Sequence, residues 1–194
     1  MMRTRSGTAI ALGVLVLLTT GTVAHAQDAA VRAYTIRRER VTLFAMSVLA
    51  GWSVTNMAAG TALSFTSDDP QAVAFHQMNA GWNIVNAALA VPSLVGAQAR
   101  LSSPPELSLG EALVEQNRLE DILLFNAGID FAYIAAGFYL TELARRDDAD
   151  TAQLTGFGHA LMLQGGFLLV FDAVVYFLQR GIGRDLARLA DSGR

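Results

Sequence analysis

Asp130 and Asp172 are the residues with most to offer chemically, because each breaks a long stretch that is otherwise almost without charge. A carboxyl group inside a bilayer is costly, so one that is kept there marks a proton relay, a binding site or a tightly paired network. Other polar residues recur at helical spacing around them. His76, Asn79, Asn83 and Asn86 step by three, four and three, and Asn126, Asp130, Tyr133 and Gly137 by four, three and four, so each set makes one stripe on a helix. Trp52 and Asn56, Trp82, and Gln164, Asp172 and Tyr176 complete the constellation.

Depth along each helix, counted at about 1.5 Å per residue with alternate helices running in opposite directions, puts Asn79 level with Gln164 and Asn83 level with Asn56. Asn86 and Asp130 fall near the midplane, with Asp172 between Asp130 and Asn126. The expectation is a ladder in which carboxylates sit among amide donors, with the Tyr133 and Tyr176 hydroxyls in reach. Two roles fit it. One is structural, a set of hydrogen bonds that holds the helices together where no hydrophobic force does. The other is a small-molecule or proton-coupled binder or transporter that uses Asp130 and Asp172. The first is the favoured expectation.

His76 and His159 lie near the starts of even-numbered helices and so share a level, which makes a haem held by two histidines a remote alternative. No ligand spacing argues for zinc. The chain has no cysteine, hence no disulfide framework and no thiolate. With no motif of assignable chemistry, the sequence favours a non-enzymatic membrane component without cofactor. Its partners are then the lipid bilayer and a second copy or another membrane protein, and nothing points to nucleic acid.

The elements that must position these residues follow from where charge is absent. Hydrophobic residues make up 53% of the 194 and charged ones 16%, and the charges cluster between apolar stretches. Soluble helices would carry charge every turn on a solvent face, and these do not. Each stretch supplies the roughly 20 apolar residues that cross a bilayer. The spans are expected at about 41–65, 73–96, 120–142 and 158–179. Thr66-Ser67-Asp68-Asp69-Pro70 makes a compact turn, and Ser108-Leu109-Gly110-Glu111 has the spacing of a capping box that restarts a helix. Before the first span, Arg3 and Arg5, the apolar run Ala9 to Leu18, and Ala24-His25-Ala26 read as a signal peptide over residues 1–26. Residues 27–40 read as an interfacial helix, and 181–194 as a basic tail. The fold class is all-α: an integral membrane antiparallel four-helix bundle after a signal peptide.

A short repeat accompanies the spans: Ala50-Gly51-Trp52-Ser53, Ala80-Gly81-Trp82-Asn83, Ala127-Gly128-Ile129-Asp130 and Gly165-Gly166-Phe167. Small residues at mid-span are expected where helix backbones approach closely.

Phe75-His76-Gln77-Met78-Asn79 followed by Gly81-Trp82-Asn83, then Leu123-Leu124-Phe125-Asn126-Ala127-Gly128, and Leu163-Gln164-Gly165 with Leu169-Val170-Phe171-Asp172 resemble an uncharacterised bacterial multi-pass membrane family, a domain of unknown function. The resemblance covers roughly residues 32–179. It implies a membrane location, this helical layout and no particular activity; the expected location is the bacterial inner membrane, with the chain crossing it several times.

Orientation is contested within the sequence. A cleaved signal leaves the mature N-terminus, the central loop and the tail outside the cytoplasm. Those segments hold ten arginines, among them Arg32, Arg37, Arg38, Arg40, Arg100, Arg118 and Arg180, against Arg145 and Arg146 on the other side. The positive-inside rule wants the reverse, which an uncleaved first helix would satisfy. The explicit cleavage site outweighs it.

Overall fold

The computed structural model describes the backbone of residues 5–192 and the side chains of residues 25–191, so the apolar run and basic start expected of a signal peptide lie outside the described side chains. The described residues form four α-helices and no strand: α1 (Arg5–Thr66), α2 (Pro70–Ser102), α3 (Leu109–Leu143) and α4 (Thr151–Ser192). All four are long and apolar enough to cross a membrane. Residues 27–40 are helical and continue without a break into the rest of α1.

Each helix after the first starts at a side-chain cap. The Asp69 carboxylate accepts from the Gln71 amide ahead of Pro70, which suits a first helical position because its missing N–H would be unsatisfied there anyway. At α3 the capping box forms in full: the Ser108 hydroxyl accepts from the Glu111 amide and the Glu111 carboxylate accepts from the Ser108 amide. These bonds hold the exposed Glu111 carboxyl below its ordinary range. Asp150 accepts from the Gln153 amide at the start of α4.

The distribution of residues is inverted relative to a water-soluble bundle. The largest fully buried side chains are Gln116, Gln164, Gln179, Asn83, Thr35 and Ser53, whereas Phe44, Phe65, Phe125, Phe138 and Phe177 are exposed. A protein in water buries the second set and exposes the first. Lipid reverses the preference, since amides can be satisfied only inside the bundle.

Backbones meet at particular glycines. A Cβ on Gly137 would stand 2.6 Å from the Gly158 carbonyl oxygen, one on Gly165 2.8 Å from that of Asp130, and one on Gly60 2.7 Å from that of His76. Of the glycines in the mid-span repeat, only Gly165 lies at such a crossing. Gly51, Gly81, Gly128 and Gly166 meet nothing within 4 Å, so the expectation that the repeat marks close approach is corrected: these four face away from neighbouring helices. As residue number rises along α3 through 116, 130, 137 and 141, the partner on α4 falls through 183, 165 and 158. The helices pack α1 on α2, α3 on α4 and α2 on α4, while α2 and α3, consecutive in the chain, make no close backbone approach.

Candidate functional site

Three polar layers occupy the interior. The first is an amide ladder joining α1, α2 and α4, with Gln164 at its centre. The Gln164 side-chain oxygen accepts from Trp52 Nε1 at 3.1 Å and from Asn86 Nδ2 at 3.3 Å, and its amide nitrogen donates to Asn79 Oδ1. Asn79 donates to Asn56 Oδ1 at 2.7 Å, Asn56 to the Trp52 carbonyl, Asn83 to the Asn79 carbonyl, and Asn86 to Asn83 Oδ1. Stacking of Trp52 on Phe167, with centroids 3.8 Å apart and planes 4° apart, closes the side of the ladder. Almost every donor and acceptor is used, as buried polar groups require.

The second layer holds Asp130 and Asp172. Both carboxyls are buried, and they lie in hydrogen-bonding contact with each other. Neither takes a hydrogen bond from an amide, and Asp130 Oδ2 is buried with no partner among the described residues. The carboxylates therefore stand beside the ladder and not among its donors. They line a cavity of about 450 Å³ between α2 and α3, shared with Trp82, Asn86, Asn126 and Tyr133 and closed by Met46, Leu49 and Phe171. The Trp82 and Tyr133 rings meet edge to face at 4.6 Å and bridge the two helices at one end of the cavity. Trp82 Nε1 is buried and likewise without a partner among the described residues.

The remaining sequence candidates fall elsewhere. Tyr176 accepts a hydrogen bond from Arg180 and does not reach the carboxyls. His76 is half-buried with its ring against Phe75, and His159 is exposed. Neither histidine lines the cavity that holds the carboxyl pair.

The third layer was not anticipated. Tyr34 donates to Gln116 Oε1 at 2.8 Å, Gln116 donates to Glu120 and to the Gln179 carbonyl, and Gln179 donates to Thr42. Beside it Arg38, 5% exposed, binds Glu39 at 2.8 Å and pairs with Glu115. Burial opposes the Arg38 charge, but the two carboxylates and Tyr34 outweigh it and raise the guanidinium further. Glu115 is thereby turned inward. Its spacing with Gln116 at the start of α3 was visible, but the partner lies on α1.

A model of a family of unknown function (DUF6992) matches residues 48–173. The chain belongs to that family. The matched segment contains the amide ladder and the carboxyl pair, and of the third layer it includes Glu115, Gln116 and Glu120 but not Tyr34, Arg38, Glu39, Thr42 or Gln179. No curated protein and no solved structure matches the chain.

Proposed function

We propose that this member of the family is a multi-pass protein of the bacterial inner membrane, an antiparallel up-down-up-down bundle carried there by a cleaved signal peptide, and that it binds a small ligand at Asp130 and Asp172. The opposed numbering of α3 and α4 contacts supports the antiparallel reading. The amide ladder has the structural role, because its groups satisfy one another and leave little capacity for a ligand.

One observation carries the binding role. Two carboxyl groups touch in a largely apolar cavity, and Asp130 Oδ2 is buried with no partner among the described residues. Such a pair needs a proton between its members, or a donor or positive charge supplied from outside the chain. A proton alone would make the site a relay. The cavity beside it favours a lipophilic small molecule that bears an amine, whose ammonium would donate to the carboxyls.

The test uses octylamine as probe with the detergent-solubilised protein. Octylamine is expected to raise the melting temperature and shift Trp82 fluorescence, and Asp130→Asn with Asp172→Asn is expected to remove both responses while the variant stays folded. Equal responses in the variant and the wild type refute the site. Mass spectrometry of the purified protein tests the signal peptide, with Gln27 expected as first residue.

A further inference from the structure

The cavity at the carboxyl pair does not end at the membrane interior. A second cavity of about 360 Å³ shares Thr42, Ser93, Leu119 and Ile122 with it, so the space between α2 and α3 runs on to the level of Arg38, Arg100 and Arg118. Those three arginines flank the expected starts and ends of the spans, where a bilayer places its headgroups.

Charge at this end is unbalanced: three guanidiniums face two carboxylates, Glu39 and Glu115. Arg38 is committed, being buried and bound to both. Arg100 is half-exposed and reaches Glu39 and Glu115 only at 3.5 and 3.6 Å. Arg118 is exposed and makes no ion pair or hydrogen bond among the described residues. Positive charge is thus left over where an apolar slot, walled by Val85, Leu89 and Ile122, opens to the interface.

We propose that this slot holds one anionic phospholipid, its phosphate between Arg100 and Arg118 and one acyl chain running between α2 and α3 toward Trp82. Guanidinium groups bind phosphate oxygens in pairs, with geometry an ammonium lacks. From Arg118 to Tyr133 the slot extends about 22 Å at 1.5 Å per residue, more than the ~15 Å depth of one leaflet's hydrocarbon. A free phosphate would use the mouth and leave the apolar walls without purpose. The proposal rests on the membrane reading of the fold, and not on the role given to Asp130 and Asp172.

Because Trp52 and Trp82 are the two tryptophans, Trp52→Phe leaves Trp82 as the sole reporter at the deep end of the slot. Phosphatidylglycerol with a brominated acyl chain, added to this variant in neutral detergent, is expected to quench Trp82 at about tenfold lower concentration than brominated phosphatidylcholine, the factor of one charge-assisted contact. Arg100→Gln with Arg118→Gln should bring the two lipids level. Gly96→Leu should abolish quenching by both, since Gly96 lines the mouth and a side chain there meets no neighbour. Asp130→Asn with Asp172→Asn, at the deep end of the same space, should leave the preference for phosphatidylglycerol intact, because that preference is set by the arginines at the mouth. Native mass spectrometry of the unmodified protein gives a second readout: retained phosphatidylglycerol, lost in the double arginine variant. Equal quenching by both lipids, or a preference that survives loss of both arginines, overturns the proposal. Stabilisation by inorganic phosphate without quenching by the brominated chain would mark a free-anion site and overturn it as well.

Discussion

Gly128 and Gly137 lie on the same helix and look interchangeable in the sequence, yet alanine should be tolerated at the first and not at the second. A Cβ at Gly137 would stand 2.6 Å from the Gly158 carbonyl oxygen, 2.6 Å from Met162 Cγ and 3.0 Å from the Met162 nitrogen, where ordinary contact begins at 3.4 Å. The reciprocal Cβ at Gly158 would stand 2.7 Å from the Gly137 carbonyl oxygen, so two backbones meet and neither has a flexible end to yield. The helices must separate, at a cost of about 1–3 kcal/mol for overpacking. Both substitutions gain about 1 kcal/mol of helix propensity, so that gain cancels when the variants are compared with each other. Gly137→Ala should therefore be about 1–3 kcal/mol less stable than Gly128→Ala in mixed-micelle denaturation, with a melting temperature lower by at least about 3 °C. Gly128→Ala should match or exceed the wild type, because its Cβ would meet nothing within 4 Å. Equal stability of the two variants, or the opposite order, would refute the assignment of Gly137 to the α3/α4 crossing.

Gln164→Leu removes the bonds to Trp52, Asn86 and Asn79 together. At about 0.6 kcal/mol per bond between membrane helices, a loss near 2 kcal/mol is expected, while Ser93→Ala, whose hydroxyl bonds only its own helix, should change the melt little. Arg38→Met strands the buried Glu39 and should cost about 3 kcal/mol, against about 0.5 kcal/mol or less for Arg145→Met at an exposed pair; comparable melts would show that Glu39 is solvated. Glu111 has a folded-state pKa below its ordinary value of 4.5, because the Ser108 amide and hydroxyl donate to its carboxylate. Its capping contribution is accordingly present above about pH 4.5 and lost as pH falls through the lower folded value. The hydrogen-exchange protection of the Glu111 amide, taken relative to its intrinsic rate at each pH, should be steady from neutral pH down to that point and fall below it, and Glu111→Gln should flatten the dependence.

Much of the fold could be read from the sequence because its signals are local. Long gaps between charges require helices that lipid can surround, Asp69-Pro70 and Ser108-x-x-Glu111 start helices through bonds made within one turn, and the spacing of Asn79, Asn83 and Asn86 puts all three on one buried face. Periodicity fixes the angle at which a side chain leaves its helix, but not which helix stands opposite. Only tertiary packing decided that α2 avoids α3, leaving the cleft, and that Gln164 gathers the amides while Asp130 and Asp172 are left to each other. Glycine carries the least directional information, since without a side chain it suits either face. Gly128 and Gly137 thus became different residues only once α4 was set against α3. The Tyr34, Gln116 and Gln179 layer was hidden for the same reason: its members come from three helices and are bonded across at least 63 positions of chain. A bilayer makes such pairing compulsory by removing water as a partner, yet it leaves the choice of partner to the packing of the whole bundle.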